Sequence, residues 1–418
     1  MPGPDRADGD VARRKGSTAQ AGLWSGRDPR SSCAWSPGAR RPLQRDCVTS
    51  RDTAMSEARD SSSSRDRRAE MHESLRRFVV DAWDRFEMAE RGSAGAQRME
   101  VRIADSGIRM RFANVALRHA IGRAFEHLRV RSSIDDPDLT IGVWDSVSTG
   151  VQMPPPPWSL DCLTARGDIT GWGSGGRQVS FHVPSGILSV IDAGAGRGML
   201  WIRDASAIPR YVRSMPMLPL LNWWTNRRGM QLVHAGAVGD ASGAALLAGA
   251  GGAGKSCTAI ACALAGMSYV SDDYCAIEGG SWPRAHSVFS TGRLHAWDAA
   301  RLALPDAWIR AGDSRPGDKT ILFLNDCAPV RLATELPISV VLLPRSGRWH
   351  ETCCEPAASS AAMRGLMDVT MSQLPHAGQH AVERIASLVR SVPCRFLNLG
   401  TDGRPVADVV REQIRDCR

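Results

Sequence analysis

Lysine is nearly absent from this chain: its 418 residues hold three, Lys15, Lys255 and Lys319, although Lys+Arg together number 52. Arginine therefore serves wherever a generic positive charge suffices, and each lysine stands out as a place where a compact ammonium is wanted. Long apolar runs are also missing. The stretch Met215 to Trp224 is broken by Pro216, Pro219 and Asn222, which excludes the roughly 18–20 apolar residues of a spanning helix and with it a membrane protein. The chain does not open with a charged-then-apolar secretory signal. No CxxC pair occurs among the 11 cysteines, an odd and scattered set whose tightest cluster is Cys353-Cys354. A zinc site is not indicated, and the thiols read as reduced small hydrophobes of a cytoplasmic protein. A concentrated basic surface is lacking too. Of the net charge of +8, residues 1–70 carry half, leaving about +4 over the remaining 348 residues. That is too little to make nucleic acid the default partner.

What is present begins with a polar segment. Residues 1–70 are rich in Arg, Ser, Gly, Pro and Asp without apolar periodicity, so they read as a disordered tail. Met55 and Met71 lie in frame and would also suit an over-extended start; a transit peptide is disfavoured by the many acids. From Leu75 to Glu90 apolar residues recur at helical spacing. Met99 to Phe112 alternates around Asp105-Ser106-Gly107 and predicts a hairpin; Asn114 caps a helix carrying Leu117, Ile121 and Phe125. Strands are expected at 139–144, 178–183, 187–192 and 198–203, with Pro154 to Pro157 as a stiff loop. This makes residues 71–213 a smaller N-terminal α+β domain of unknown role. Residues 214–418 form a second domain: a helix from Leu218 to Arg227, apolar strands at 232–238 and 244–248, a Gly-rich loop, a helix from Lys255 and a strand at 268–271.

That loop, Gly249-Ala250-Gly251-Gly252-Ala253-Gly254-Lys255-Ser256, fits G-x-x-x-x-G-K-[ST] and sits between a strand and a helix. Its glycines let backbone N–H groups wrap a β-phosphate, and the helix N-terminus adds its positive end. Lys255 is placed to reach the β/γ-phosphates and the Ser256 hydroxyl to ligate Mg²⁺. Cys257, next along, is counted with the nucleotide-binding residues. ATP and Mg²⁺ are the cofactors expected.

Asp272-Asp273 follows the next strand. One carboxylate there is suited to the metal and the other to the proton of an attacking hydroxyl, and Asp272 is assigned to the metal as well as to catalysis. His234, flanked by Ala235 and Gly236, is a candidate γ-phosphate contact or partner of the acidic pair, set against the plain reading of a core histidine. Lys319, in the turn Gly317-Asp318-Lys319 before an apolar strand, is a candidate phosphate or acceptor contact by its rarity alone.

Together, Leu232 to Val238, Gly249 to Ser256 and Ser271-Asp272-Asp273-Tyr274 resemble the catalytic core of the HPr kinase/phosphorylase superfamily. Ser290 to Leu294, Asp318-Lys319-Thr320, Ile338 to Leu343 and Pro393 to Leu399 are similar to the branch of HPr-kinase-like proteins often found beside peptide-modification genes. The resemblance spans about residues 216–412. It implies an α/β fold with a P-loop kinase core of the HPr kinase C-terminal type, akin to phosphoenolpyruvate carboxykinase. It also implies Asp272 as general base toward a serine hydroxyl, Asp273 as its support and His234 as helper. The Gly- and Arg-containing second motif of true HPr kinases is not found after the acidic pair, so action on HPr itself and the reverse phosphorylase reaction are not carried over. The expectation is an ATP-dependent kinase acting on Ser or Thr of a peptide or small protein, with homo-oligomerisation left open. The alternatives are a small-molecule kinase and a non-catalytic ATP-binding accessory protein.

Overall fold

The computed structural model describes residues 53–417, apart from 175, 316, 348, 402 and 403. The expected tail falls partly outside this range. Its portion from residue 53 onward instead belongs to a helix, Thr53–Gly92. Between residues 53 and 91 there is no Gly or Pro to interrupt the hydrogen-bond ladder, which is why the helix starts earlier than the apolar pattern does. From Leu75 on, one stripe turns inward: Leu75, Phe78, Val79, Ala82, Trp83, Phe86 and Ala89 are buried. Each large side chain so buried contributes roughly 1.5–3 kcal/mol.

The stripe lies on a mixed sheet of eight strands, β1 (Gln97–Ile103), β2 (Ser106–Phe112), β3 (Arg129–Val130), β4 (Leu139–Asp145), β5 (Asp168–Ser174), β6 (Arg177–His182), β7 (Ile187–Asp192) and β8 (Arg197–Ile202). Their order is β3-β1-β2-β4-β8-β7-β6-β5. The β1–β2 hairpin pairs Ile103 with Ser106, so its turn is Ala104-Asp105, one residue earlier than expected. Asn114 caps the helix Val115–Gly122 by accepting from the Leu117 N–H at 2.8 Å. Phe86 presses so closely on β4 that a Cβ on Gly142 would stand 2.5 Å from its ring.

The second sheet has ten strands: β9 (Met230–Val233), β10 (Gly236–Asp240), β11 (Gly243–Leu247), β12 (Ser268–Ser271), β13 (Cys275–Glu278), β14 (Arg284–His286), β17 (Arg331–Leu332), β18 (Glu335–Ser346), β19 (Cys353–Pro356) and β20 (Cys394–Leu399). The path β17-β12-β10-β11-β18-β14-β13-β9 is extended by β20 on β18 and β19 on β20. Strands β15 (Thr291–Leu294) and β16 (Thr320–Phe323) form a separate two-stranded ribbon. The architecture is mixed α/β.

The two halves are knitted together. One apolar cluster runs from the long helix and the first sheet through Leu220, Leu221, Trp223 and Trp224 of the helix Leu218–Arg227 to Leu232, Tyr274 and Phe289. Phe125 and Phe289 meet across it as tilted rings with centroids 5.5 Å apart, and the Ser290 N–H donates to the Ala124 carbonyl at 2.9 Å. Arg210 of the helix Arg210–Ser214 crosses to Asp313 (2.8 Å) and Asp318 (3.0 Å). Among the described residues, no helix is long and apolar enough to cross a membrane.

Candidate functional site

The Gly-rich loop joins β11 to the helix Lys255–Leu264. Its first residue is pinned by a contact the sequence did not disclose: the Gly249 N–H donates to the Gly365 carbonyl at 3.2 Å. A Cβ on Gly365 would meet the Gly249 nitrogen at 3.3 Å, so this helix position favours glycine. At the other end Gly254 takes φ 103°, and a Cβ there would come within 2.5 Å of Leu399. Ala250, Gly251 and Gly252 are exposed. Lys255 is 6% exposed, with Nζ donating to the Gly249 (2.8 Å) and Ala250 (3.1 Å) carbonyls. Burial lowers its pKa. The charges of Asp272 and Asp273 oppose that shift, and the charge of Lys319 adds to it.

The acidic pair owes its place to an interruption shared by two chain segments. The expected strand 232–238 is in fact two, β9 and β10, broken at His234-Ala235. The run 268–278 is likewise broken between β12 and β13. The two runs are antiparallel. Val233 faces Cys275 and Ala237 faces Ser271, so His234-Ala235-Gly236 lies opposite Asp272-Asp273-Tyr274. Each side spends its extra residues in a tight turn: the Ala235 N–H bonds the Val233 carbonyl at 3.0 Å, and the Tyr274 N–H bonds the Asp272 carbonyl at 2.7 Å. Asp273, at the apex of the second turn, has φ 61°, a strained conformation for a residue with a Cβ.

Asp272 is fully buried, and neither carboxylate oxygen has a hydrogen-bond partner. The Ser256 hydroxyl and the Asp273 N–H stand near enough to lower its pKa without the alignment that would satisfy the oxygens. Burial, followed by the neighbouring Asp273 charge, outweighs them and raises the group to about 6. Asp273 points elsewhere. Its Oδ2 accepts from Arg293 Nη1 at 3.3 Å and its Oδ1 lies 3.8 Å from His234 Nε2.

His234 occupies the strand break, not a strand as expected. The Thr370 hydroxyl accepts from its N–H at 3.0 Å, and its ring meets Tyr274 edge-on at 5.3 Å. Burial foremost, then the Lys255 charge, push its pKa down to about 4. Near neutrality the imidazole is therefore uncharged, and its contact with Asp273 is that of a neutral ring.

Arg293 was not singled out by sequence reasoning. It comes from β15, and β16 follows directly on Lys319; Arg293 pairs with Ile321, two residues beyond Lys319. Lys319 itself lies just before the strand, near enough to Lys255 for its charge to act on that ammonium. The Lys319 ammonium makes no ion pair among the described residues, whereas its carbonyl accepts from Arg210 Nη2 at 3.4 Å. Cys257 packs at the edge of the apolar cluster under the second sheet, and burial with the Asp298 carboxylate pushes its thiol up to about 12. Its side chain is inert, so only its backbone N–H, in the first turn of the helix, is suited to a phosphate.

Buried carboxylate oxygens without donors, beside a hydroxyl, are hard oxygen ligands of the kind Mg²⁺ takes alongside phosphates. Asp272 and Ser256 fit that ion.

No family model matches the chain, and no curated protein matches it. Among solved structures the chain is similar to the HPr(Ser) kinase/phosphatase from Coxiella burnetii, at 9% identity, over 44% of this chain and 95% of that one, with a TM-score of 0.23. A likeness at that score carries no structural argument.

Proposed function

We propose that this protein is an ATP-dependent phosphotransferase that phosphorylates a hydroxyl group. What carries the reading is Asp272: a buried carboxylate without donors, beside Ser256 and the P-loop lysine, and raised to about 6. A structural aspartate would be hydrogen-bonded. One held unsatisfied is suited to taking a proton at neutral pH.

In this reading the backbone of 249–254 and the N-terminus of the helix Lys255–Leu264 hold the phosphates, and Lys255 exchanges its two carbonyl partners for phosphate oxygens. The acceptor oxygen bonds to the γ-phosphorus, the bond to the β-bridging oxygen breaks, ADP leaves with that electron pair, and the hydroxyl proton passes to Asp272. Mg²⁺, held by Ser256 and Asp272, would supply charge neutralisation on the phosphates. Asp273 is fixed by Arg293 and faces the neutral His234 ring. Arg293 and Lys319 supply positive charge on the acceptor side of the γ-phosphate.

Ser or Thr of a peptide or small protein is the acceptor implied by the sequence resemblance, in a cytoplasmic enzyme without nucleic-acid or membrane partners. A small-molecule acceptor is favoured by one observation, a cavity with Arg293 in its wall. Transfer of isotope-labelled γ-phosphate from ATP to peptides encoded beside the gene, and to small hydroxylated compounds, tests the reading. Tight nucleotide binding without transfer to any of them would leave an accessory ATP-binding protein.

A further inference from the structure

A cavity of about 530 Å³ lies between the first sheet and the P-loop half, and Arg293 is part of its wall. The far wall is the sheet surface carrying Ser180, Ser189 and Leu200. One side is the segment Tyr211 to Pro219, and the near end is Arg293 with Gln373. Both near-end residues are tied to the acidic turn: Arg293 donates to Asp273, and Gln373 accepts from the Tyr274 hydroxyl at 2.6 Å. The wall is joined to the ribbon as well, since the Thr291 hydroxyl donates to the Ser214 carbonyl at 2.5 Å. The volume falls in the range of small-molecule sites.

The lining has a definite chemistry. Apolar groups such as Ile187, Leu200, Val212 and Met215 alternate with hydroxyls, and Ser180 and Ser189 are buried there. Among the described residues no carboxylate lines it, and the two permanent charges in that lining, Arg166 and Arg293, are both positive. Arg166 is already held by Asp168 at 3.0 Å and by the Met371 carbonyl at 2.8 Å. A cationic occupant would lack a counter-charge, whereas a neutral or anionic one with an apolar body would find hydroxyl partners and two guanidinium groups.

We propose that this cavity is the acceptor site, and that the acceptor is a hydroxyl-bearing small molecule, neutral or anionic, with an apolar body and its hydroxyl directed to Arg293. The N-terminal half then acts as the specificity element of the enzyme. The inference rests on the phosphotransferase reading, and it gives the first sheet a role that a P-loop domain alone would not need.

The test uses three matched probes that share a phenyl group and a hydroxyl: phenyllactate (anionic), N-acetylphenylalaninol (neutral) and phenylalaninol (cationic). Binding to the full chain with Mg·ADP is read by saturation-transfer NMR, and ADP binding is measured separately by calorimetry. The first two probes should bind and the third should not. Val212→Trp, at a half-buried position of the wall, should weaken both by at least about tenfold with ADP affinity unchanged. Met215→Glu should turn the preference toward phenylalaninol. Undiminished binding in Val212→Trp, indifference to charge, or no binding by any of the three with ADP bound would overturn the proposal. Probe binding without ADP binding would keep the cavity as a ligand site but remove it as an acceptor site, and the phosphotransferase reading would fail.

Discussion

Arg293 Nη1 donates to Asp273 Oδ2 across 3.3 Å, from a two-stranded ribbon that belongs to neither large sheet. The pair links the acidic turn to the wall of the cavity, so its loss should be felt in chemistry before stability. Arg293→Gln should lower kcat/KM by roughly 10²-fold, as expected for losing one charge-stabilising donor. Unfolding free energy should change by less than about 1 kcal/mol. Arg293→Lys should not restore the rate, since an ammonium cannot span both duties. Wild-type kinetics in either variant would remove Arg293 from the site.

Lys255 should tolerate no replacement. Lys255→Ala should abolish ATP binding measured by calorimetry, and Lys255→Arg should fail as well, because a planar guanidinium is too large for a position 6% exposed. Wild-type affinity in Lys255→Arg would contradict the phosphate-binding role.

Asp272 gives two linked expectations. The pH profile of kcat/KM, which reports the free enzyme, should fall as pH drops through about 6, as the base becomes protonated. For stability the sign follows from a folded pKa above the unfolded one. The group's contribution is fully present below about pH 4 and is lost as pH rises through about 6. A shift of this size corresponds to about 3 kcal/mol. Asp272→Asn should therefore raise the melting temperature at pH 8 and change it little at pH 4, while retaining nucleotide and losing transfer. A variant that is destabilised at pH 8 would show that the carboxylate is structural.

Lys319→Ala should raise the KM for ATP or acceptor, or lower kcat, with stability altered by no more than about 0.5 kcal/mol, the size of an ordinary surface substitution. Steady-state kinetics indistinguishable from wild type would return Lys319 to the surface.

Gly142→Ala tests the other half of the molecule. Its methyl would have to displace the Phe86 ring from β4. A cost of about 1–3 kcal/mol in denaturant unfolding is expected, and an unchanged midpoint would mean that Phe86 is not seated there.

The Gly-rich loop between a strand and a helix, and the place of the Asp-Asp pair after a short strand, were legible because each is written in a few adjacent residues: the Gly-rich octet, the apolar periodicity of 255–264, the acids that end a short apolar run. The break at His234 was not. A run from Leu232 to Val238 reads as one strand until it is known that β9 pairs with β13 while β10 pairs with β11 and β12. Arg293 was hidden for the same reason. One arginine among many acquires meaning only when the ribbon pairing sets it beside Asp273. Gly365 and the cavity are products of helix and sheet packing that no local pattern encodes. The helix start at Thr53 was missed because helix propensity without an apolar face leaves no periodic trace.

The opposed triplets His234-Ala235-Gly236 and Asp272-Asp273-Tyr274 have a consequence for how this site can vary. Side-chain identity at His234 and Asp273, the centres of the two tight turns, can be exchanged without touching the strand pairs on either side, which close independently at Val233–Cys275 and Ala237–Ser271. Length cannot. Inserting or deleting one residue in either triplet would shift the register of the following strand by one and exchange the two faces it buries, since β10 and β13 are packed on both sides. Such a triplet pair is open to changes of chemistry by point substitution and closed to indels, so related chains that share this sheet should differ here in residue type and agree in residue count.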